Sequence, residues 1–162
     1  IGQSLIPGSG EGIFAKRDFF PGQLVSYLSG LKINEDGIFP PGLSRPQQEV
    51  AGSYYFGFGV AFPGFPREVC IDVPPRYRHV KDYRTTLGHK VNHNLLGTNS
   101  EFGFVRHPSH GPVVSLVATH HIGKGKDVFV NYNYDLEFAA QWYKDHHNQV
   151  NGLCLNVLES LT

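Results

Sequence analysis

The chain has 162 residues, of which 40% are apolar and 17% are charged, and its 14 basic side chains balance 14 acidic ones. This length suffices for one domain with a buried core. Because the charges balance, net charge indicates neither nucleic acid nor a membrane as partner. No run approaches the roughly 20 apolar residues that a membrane-spanning helix needs. The 19 glycines and 11 prolines indicate many turns between short elements, so we expect a mostly β domain.

Strand-like runs follow one another at short intervals. The runs 12–19 and 23–33 flank Pro21-Gly22, which is typical of a turn, and together they predict a hairpin or meander. The Pro- and Gly-rich stretch 34–52 predicts a long loop. Further strands are predicted at 53–62, 67–73, 100–108, 113–122 and 126–135.

A helix is predicted near the C-terminus. Asp135 is a suitable N-cap for a helix that runs to about His147. Its apolar face is formed by Leu136, Ala139, Ala140 and Tyr143. The tail 152–161 is expected to pack back as a short helix or strand.

The ends and the cysteines leave two questions open. The chain begins at Ile1 and contains no methionine, so we expect a fragment or a processed form, and the absence of a visible signal peptide says little about targeting. Cys70 and Cys154 are either free thiols or one disulfide. Two cysteines alone do not make a structural zinc site, which usually has four Cys or His ligands.

The segment GSGEGIF, residues 8–14, has the glycine spacing of a loop that cradles phosphate. A dinucleotide-binding fingerprint requires a strand before the glycines and a helix after them. Here a strand is predicted after them, so that interpretation is excluded. The segment is either a flexible turn or a backbone that lets a ligand approach closely.

Histidines at 89 and 93 have the spacing of one helical turn, which raises the possibility of a metal site. Gly88, Asn92 and Asn94 disfavour a helix there, and no third ligand has an obvious place, so no metal is expected. A Ser-His-Asp hydrolase is also disfavoured, because the chain lacks a G-x-S-x-G nucleophile elbow.

The segment GHKVNHNLLGTN, residues 88–99, sets Asn92 and His93 among apolar neighbours that indicate burial. Buried amides and imidazoles are unfavourable unless they are hydrogen-bonded, so partners must come from elsewhere in the fold. The segment VFVNYNYD, residues 128–135, alternates, so that Tyr132 and Tyr134 share one face of a strand. Such tyrosines are usually packed in a core and more rarely act as catalytic phenols.

Three segments occur in order between residues 10 and 135: GEGIFAKRDFFPGQLVSYLSG, GHKVNHN and IGKGKDVFVNYNYD. This ordered set resembles the SET-domain protein-lysine methyltransferases. The runs IDVPPRYRHVKDYRTTLGHKVNH and HPSHGPVVSLVATHHI are most similar to the branch that carries MORN repeats ahead of its SET domain and monomethylates histone H3 and other proteins. No such repeats lie in this chain, which would correspond to the catalytic SET module alone.

The resemblance implies a SET fold of short strands in several small sheets, with a threaded (pseudoknot) C-terminal segment and a short C-terminal helix. It implies a SET domain at 1–135 and a post-SET-like helical segment at 136–162 that packs on it. The implied partner is a protein or peptide that bears a lysine, with no direct nucleic acid and no membrane. The implied compartment is nuclear or cytoplasmic.

The resemblance also implies that the chain binds S-adenosylmethionine, without a metal. The implied contacts are Ser9, Gly10, Glu11, Gly12, His89, Lys90, Asn92, His93, Tyr132 and Trp142. Tyr132 matches the tyrosine near the transferring methyl, and Tyr134 matches a second aromatic of the lysine channel. Trp142 matches the aromatic that stacks on adenine, although a single tryptophan is often a core anchor. A neutral lysine amine attacks a sulfonium methyl, so such a site must align the two and exclude water.

The sequence departs from the branch in the substrate channel. Leu28 and Phe102 stand where the branch has channel tyrosines, and Tyr27 lies one place early, on the opposite face of its strand. One residue is inserted before Thr98-Asn99, and His146 replaces an acidic cofactor-contacting residue. Each lost hydrogen bond is worth roughly 1–3 kcal/mol in a buried site, which together corresponds to about two to four decades in rate.

Two classes of function therefore stay open. The first is an active lysine methyltransferase with an altered substrate or product. The second is a catalytically weak or inactive SET-fold module that binds the cofactor or another protein. An enzyme that acts on a small molecule is a third, more distant alternative.

Overall fold

The structure is a computed structural model that describes residues 1–34, 55–61, 68–83, 85–109, 111–133, 136, 137, 139 and 141–159. Most of the predicted loop 34–52 lies outside the described residues, as do Tyr134, Asp135 and Ala140.

The described residues form ten strands and a C-terminal helix. The strands are β1 (Gly2–Gln3), β2 (Glu11–Gly12), β3 (Leu24–Leu28), β4 (Leu31–Asn34), β5 (Tyr55–Ala61), β6 (Glu68–Asp72), β7 (Asn92–His93), β8 (Ser100–His107), β9 (Gly111–Ala118) and β10 (Phe129–Val130). Two 3₁₀ helices, Pro75–Tyr77 and Gly88–Lys90, separate β6 from β7, and helix α1 spans Gln141–Glu159.

The strands form four small sheets. Two are three-stranded and antiparallel, in the orders β3-β9-β8 and β4-β6-β5. A third sheet is the antiparallel pair β1-β2, and the fourth is the parallel pair β7-β10. The expected mostly β fold of short strands in small sheets with a C-terminal helix is confirmed. The threading of the C-terminal segment stays a prediction.

The predicted hairpin around Pro21-Gly22 is wrong, because β3 pairs with β9 rather than with residues 12–19. Within 12–19, Phe14 forms a single bridge with Asp127, and Phe19 forms one with Ile122. The turn was foreseen from local chemistry, but the strand that pairs with β3 lies 86 to 93 positions further along the chain.

The predicted strand 23–33 is divided into β3 and β4 at Ser29-Gly30. At Gly30 the chain passes so close to β6 that a Cβ atom would lie 2.3 Å from the carbonyl oxygen of Asp72. Glycine is therefore required where the chain leaves one sheet and enters the next.

The remaining predicted strands are present with shifted ends. The runs 53–62, 67–73, 100–108 and 113–122 contain β5, β6, β8 and most of β9. Among the described residues of the run 126–135, only Phe129–Val130 form a strand, which is β10. An Asx turn follows it, because Asn131 Oδ1 accepts the Asn133 amide at 2.9 Å and Asn133 has a φ of 49°.

Helix α1 begins later and ends later than predicted, at Gln141 and Glu159 rather than 135 and 147. Leu136 lies in a turn before the helix and is 42% exposed. The predicted apolar face is confirmed at Tyr143, which is buried together with Val150, two turns further on. No helix in the described part of the chain is long and apolar enough to cross a membrane.

Among the described residues, the core consists of two apolar clusters, and Phe102 packs against both. The larger cluster contains Ile13, Ala15, Phe19, Val91, Leu116, Ala118, Ile122, Val128 and Val130. The smaller cluster contains Leu28, Ile71 and Val114. Val91 in the larger cluster fixes the polar segment 88–94 against β10, and this juxtaposition builds the candidate site.

Candidate functional site

The segment with Asn92 and His93 lies beside the strand that leads to Tyr132. In the parallel pair β7-β10, Asn92 is opposite Phe129 and His93 is opposite Val130. The amide of Asn94 donates to Val130 O at 3.1 Å, which extends the pairing. Residues 92–94 and 129–130 are therefore adjacent in the structure although they are far apart in the sequence.

The side-chain amide of Asn92 and the Nδ1 atom of His93 form hydrogen bonds with other segments of the chain. Asn92 Nδ2 donates to Glu11 O at 3.1 Å and lies 3.4 Å from Ser9 Oγ. His93 Nδ1 accepts the backbone amide of Tyr132 at 3.2 Å. The two side chains thus join the glycine segment, β7 and the Tyr132 strand at one place.

The glycine segment 8–12 lies next to Asn92 because its backbone adopts conformations that favour glycine. Gly8 and Gly10 have φ values of 80° and 72°, and a Cβ at either position would meet nothing within 4 Å. Gly12 is different, since a Cβ there would lie 3.0 Å from Asn92 Nδ2. Of the predicted cofactor-binding residues 9–12, Gly10 therefore borders open space, whereas Gly12 packs closely against Asn92.

The 3₁₀ helix Gly88–Lys90 packs against β3. A Cβ at Gly88 would lie 2.8 Å from Tyr27 O, so glycine permits this contact. His89 is buried, and neither of its ring nitrogens has a hydrogen-bond partner among the described residues. Burial, assisted by the neighbouring Lys90 charge, lowers the pKa of His89 to about 4. Lys90 Nζ forms an ion pair with Glu11 Oε2 at 3.1 Å.

Tyr132 packs against the larger core cluster and against the His93 ring, with ring centroids 5.5 Å apart. Its hydroxyl donates to the carbonyl oxygen of Val91. Because the phenol proton is committed to Val91, the phenol oxygen presents only lone pairs to any ligand.

Leu28 and Phe102, the residues that the resemblance implies for the substrate channel, both contact the smaller apolar cluster. Leu28 is 2% exposed beside Ile71 and Val114, and Phe102 packs on the same cluster. Tyr27 is on the other face of β3, where its ring lies edge-on to His107. Tyr134 is outside the described residues, and Trp142 is the second residue of α1, so their predicted contacts stay predictions.

Helix α1 contributes two aromatic side chains to the site. The sequence did not indicate Tyr143 as a site residue, whereas His146 stands where the resemblance implies an acidic cofactor-contacting residue. Tyr143 lies 4.3 Å from the His93 ring between centroids, and His146 lies edge-on to His93 at 5.7 Å. Burial, with a smaller contribution from His146, lowers the pKa of His93 to about 4. The helical periodicity indicated burial of Tyr143, but nothing local pointed to His93 as the surface that covers it.

Asp127 is a second buried polar residue that the sequence did not indicate. Its Oδ2 accepts hydrogen bonds from Ser4 Oγ at 3.2 Å and from the Leu5 amide at 3.3 Å, while Oδ1 has no partner among the described residues. Burial raises the pKa of this carboxyl. The described part of the chain holds no group of three His, Cys, Asp or Glu side chains that could bind a metal ion.

Comparison with known proteins agrees with this architecture. The chain is 25% identical over 149 residues to the histone-lysine N-methyltransferase SETD7 of Halocynthia roretzi, which covers 87% of this chain and 35% of that protein. It therefore spans about a third of the length of that relative.

Two solved structures share the fold. One is CpSET8 from Cryptosporidium, with a TM-score of 0.57 and 15% identity over 83% of this chain and 57% of that chain. The other is the Polycomb Repressive Complex 2 of Chaetomium thermophilum in an autoinhibited conformation bound to S-adenosylmethionine, with a TM-score of 0.55 and 21% identity over 91% of this chain and 16% of that chain. The SET-domain family model matches residues 10–133, so the chain belongs to the SET-domain family.

Proposed function

We propose that this chain is the methyl-transferring module of a SET-domain protein methyltransferase that acts on a lysine amine of a protein or peptide. The observation that carries the proposal is the meeting of segment 8–12, segment 89–93 and Tyr132 through the hydrogen bonds of Asn92 and His93. The similar protein from Halocynthia roretzi is named a histone-lysine N-methyltransferase, which supports the same reaction.

The described residues fit S-adenosylmethionine as the methyl donor. The backbone at Gly10 borders open space, so a ligand can approach it closely. His89 has two buried ring nitrogens without a partner among the described residues, and Lys90 supplies a cation beside Glu11. The segment therefore offers polar groups of both signs, which suits a ligand that carries a carboxylate, an ammonium and an adenine ring.

S-adenosylmethionine, when bound, supplies a methyl group on a sulfonium. The residues that would hold it are Ser9, Gly10, Glu11, Gly12, His89, Lys90, Asn92, His93, Tyr132 and Trp142. The Tyr132 hydroxyl donates its hydrogen bond to the carbonyl oxygen of Val91, so the lone pairs of its oxygen would attract and orient groups with positive character. The apolar residues Leu28 and Phe102 exclude water from the lysine side.

At a finer level, we assign the chain to the branch that carries MORN repeats and methylates histone H3, acting on nuclear or cytoplasmic proteins. In this assignment residues 1–135 form the SET domain and 136–162 a helical segment that packs on it. The contact between Tyr143 and His93 supports that packing.

A second candidate is a binding module with little or no turnover. The observation that favours it is the apolar surrounding of Leu28, which offers no hydroxyl to a lysine amine where the branch has a tyrosine. The cofactor side would then be retained without efficient transfer.

The first experiment is calorimetric titration with S-adenosylmethionine. We expect saturable binding to the wild-type chain, weakened about tenfold or more in Asn92→Ala and in Trp142→Ala. Gln149→Ala is the matched control, because Gln149 is exposed on the same helix, and its affinity should equal that of the wild type. Absence of heat and of a thermal shift at millimolar ligand would end the enzyme proposal.

The second experiment separates the two candidates. The protein is incubated with labelled S-adenosylmethionine and with arrays of lysine peptides, histone H3 peptides among them. Label transfer supports the enzyme, whereas ligand binding without transfer supports the binding module.

A further inference from the structure

Residues 4–10 form a loop that is closed on itself and fastened at both ends. The amide of Ser4 donates to Gly10 O at 2.9 Å, which closes the loop. Asn92 holds its far end through Glu11 O. The near end is held by Asp127, whose Oδ2 accepts from Ser4 Oγ and the Leu5 amide, and Ser4 Oγ in turn accepts the Ile6 amide at 3.3 Å.

Asp127 is also linked to strand β10, which precedes Tyr132, by hydrogen bonds through Asn99. Its carbonyl oxygen accepts Asn99 Nδ2 at 3.0 Å, and Asn99 Oδ1 accepts the amide of Phe129 at 2.9 Å. Phe129 is the residue of β10 that pairs with Asn92. The two fasteners of the loop, Asn92 and Asp127, are thus held in one framework.

Gly12 lies between these two fasteners. A Cβ at Gly12 would lie 3.0 Å from Asn92 Nδ2 and 3.2 Å from Asp127 Oδ1. Asp127 is 4% exposed and Ser4 is 7% exposed, so water does not compete for their hydrogen bonds. Hydrogen bonds with a charged acceptor are stronger than neutral ones, which suits a clamp on a short loop that contains two glycines.

We propose that Asp127 is a positioning residue. It holds loop 4–10 in its binding conformation and fixes the position of the loop relative to Asn92 and to strand β10, which precedes Tyr132. The role of Asp127 in holding the loop follows from its contacts with Ser4 and Leu5. The identity of the ligand, S-adenosylmethionine, rests on the proposed function. Asp127 touches no reacting group, so it acts on affinity for the methyl donor rather than on the transfer step.

The test combines hydrogen exchange with ligand titration on four variants. Asp127→Ala removes the clamp, Ser4→Ala removes only its hydroxyl partner, and Asp127→Asn keeps an acceptor oxygen. Asp18→Asn is the matched control, because Asp18 is an exposed carboxylate that also accepts a backbone amide, from Lys124 at 2.7 Å.

We expect amide exchange at Leu5 and Ile6 to be about tenfold faster in Asp127→Ala and also faster in Ser4→Ala, with β8 and β9 unchanged. The dissociation constant for S-adenosylmethionine should rise about tenfold in Asp127→Ala and be largely restored in Asp127→Asn. The rate at saturating ligand should stay at the wild-type value, and Asp18→Asn should change neither measurement.

Unchanged loop exchange in Asp127→Ala and Ser4→Ala would overturn the proposal, as would an equal increase at every amide, which would mark general destabilisation. Faster loop exchange with unchanged ligand affinity would overturn the coupling to binding. If the wild-type chain binds no S-adenosylmethionine, the proposed function fails, and the exchange measurement alone decides whether Asp127 positions the loop.

Discussion

Gly12 is a residue at which the candidate site is closely packed. We predict that Gly12→Ala destabilises the chain by about 1–3 kcal/mol, because the new methyl group overpacks the space between Asn92 and Asp127. Denaturant unfolding measures this free energy. Gly103→Ala is the control, since its Cβ would meet only Ser115 Oγ, at 3.7 Å. Equal stability of both variants would show that the loop shifts freely and that Gly12 is not confined.

The two buried histidines predict how stability depends on pH. In the folded chain the pKa values of His89 and His93 are lowered to about 4 from 6.5. Between these values the unfolded chain binds protons that the folded chain does not, so the free energy of unfolding falls as pH falls from 6.5 to 4. The raised pKa of Asp127 acts in the opposite direction, but it is one group against two.

Unfolding measured at several pH values between 7.5 and 4.5 checks this prediction. His89→Gln should flatten the dependence, because glutamine does not titrate. The exposed His79 provides the control, and His79→Gln should leave the slope unchanged. A wild-type stability that is constant across this range would contradict the assignment of both histidines as neutral in the folded chain.

At the level of single residues, the sequence predicted the polar residues of the candidate site better than the residues that hold them in place. Asn92, His93 and Tyr132 were indicated by a resemblance in motif order, and the structure brings them together. Asp127 was not indicated, because it is a lone acidic residue in a lysine-rich turn and its partners Ser4 and Leu5 are 123 and 122 positions away. No local pattern reports a hydrogen bond of that sequence separation.

Among the elements, helix α1 is held to the rest of the chain by the contact between Tyr143 and His93. Tyr143 is 3% exposed and stacks near His93. We predict that Tyr143→Ala lowers the free energy of unfolding by about 3 kcal/mol, because it empties a buried aromatic position. Gln149→Ala, on the exposed side of the helix, should change it by less than about 0.5 kcal/mol. A loss below about 1 kcal/mol in Tyr143→Ala would show that α1 is peripheral to the core.

The longer strands were predicted in approximate position, but their partners were not, and the two-residue strands β1 and β7 were missed. Alternation and turn residues mark where a strand runs, which is why β5, β6 and β8 were found. They do not mark which strand lies beside it. The pairing of β3 with β9 depends on packing in the core around Leu116, which no local sequence pattern reports.

For the molecule as a whole, the parallel contact of β7 with β10 is the feature that makes a site out of distant segments. Two residues of each strand suffice, because Val91 and Val130 are buried in the same cluster. Strands this short carry no periodic signal, so this contact was predictable only from the resemblance to SET-domain proteins. Composition and periodicity alone predicted a β domain without a location for its chemistry.

The last prediction concerns the product of the proposed reaction. In the proposed assignment Leu28 and Phe102 stand where the branch has two phenols that would hydrogen-bond the amine, and both side chains contact one apolar cluster. Without those hydrogen bonds a methylated amine can rotate and be presented again, so we expect products beyond monomethyl-lysine. Mass spectrometry of peptides treated with labelled S-adenosylmethionine measures the methylation state. A strictly monomethylated product would refute the altered channel.

The double variant Leu28→Tyr with Phe102→Tyr tests the same idea in reverse. It should shift the product toward monomethyl-lysine, because two hydroxyl groups again fix the amine. If the wild-type chain binds the donor without turnover, the double variant should instead restore measurable transfer. Tyr27→Phe is the control, since Tyr27 lies on the opposite face of β3 beside His107, and its product should match that of the wild type. Thermal unfolding of the double variant must accompany these assays, because Leu28 is 2% exposed and a larger ring at that position has to displace Ile71 or Val114.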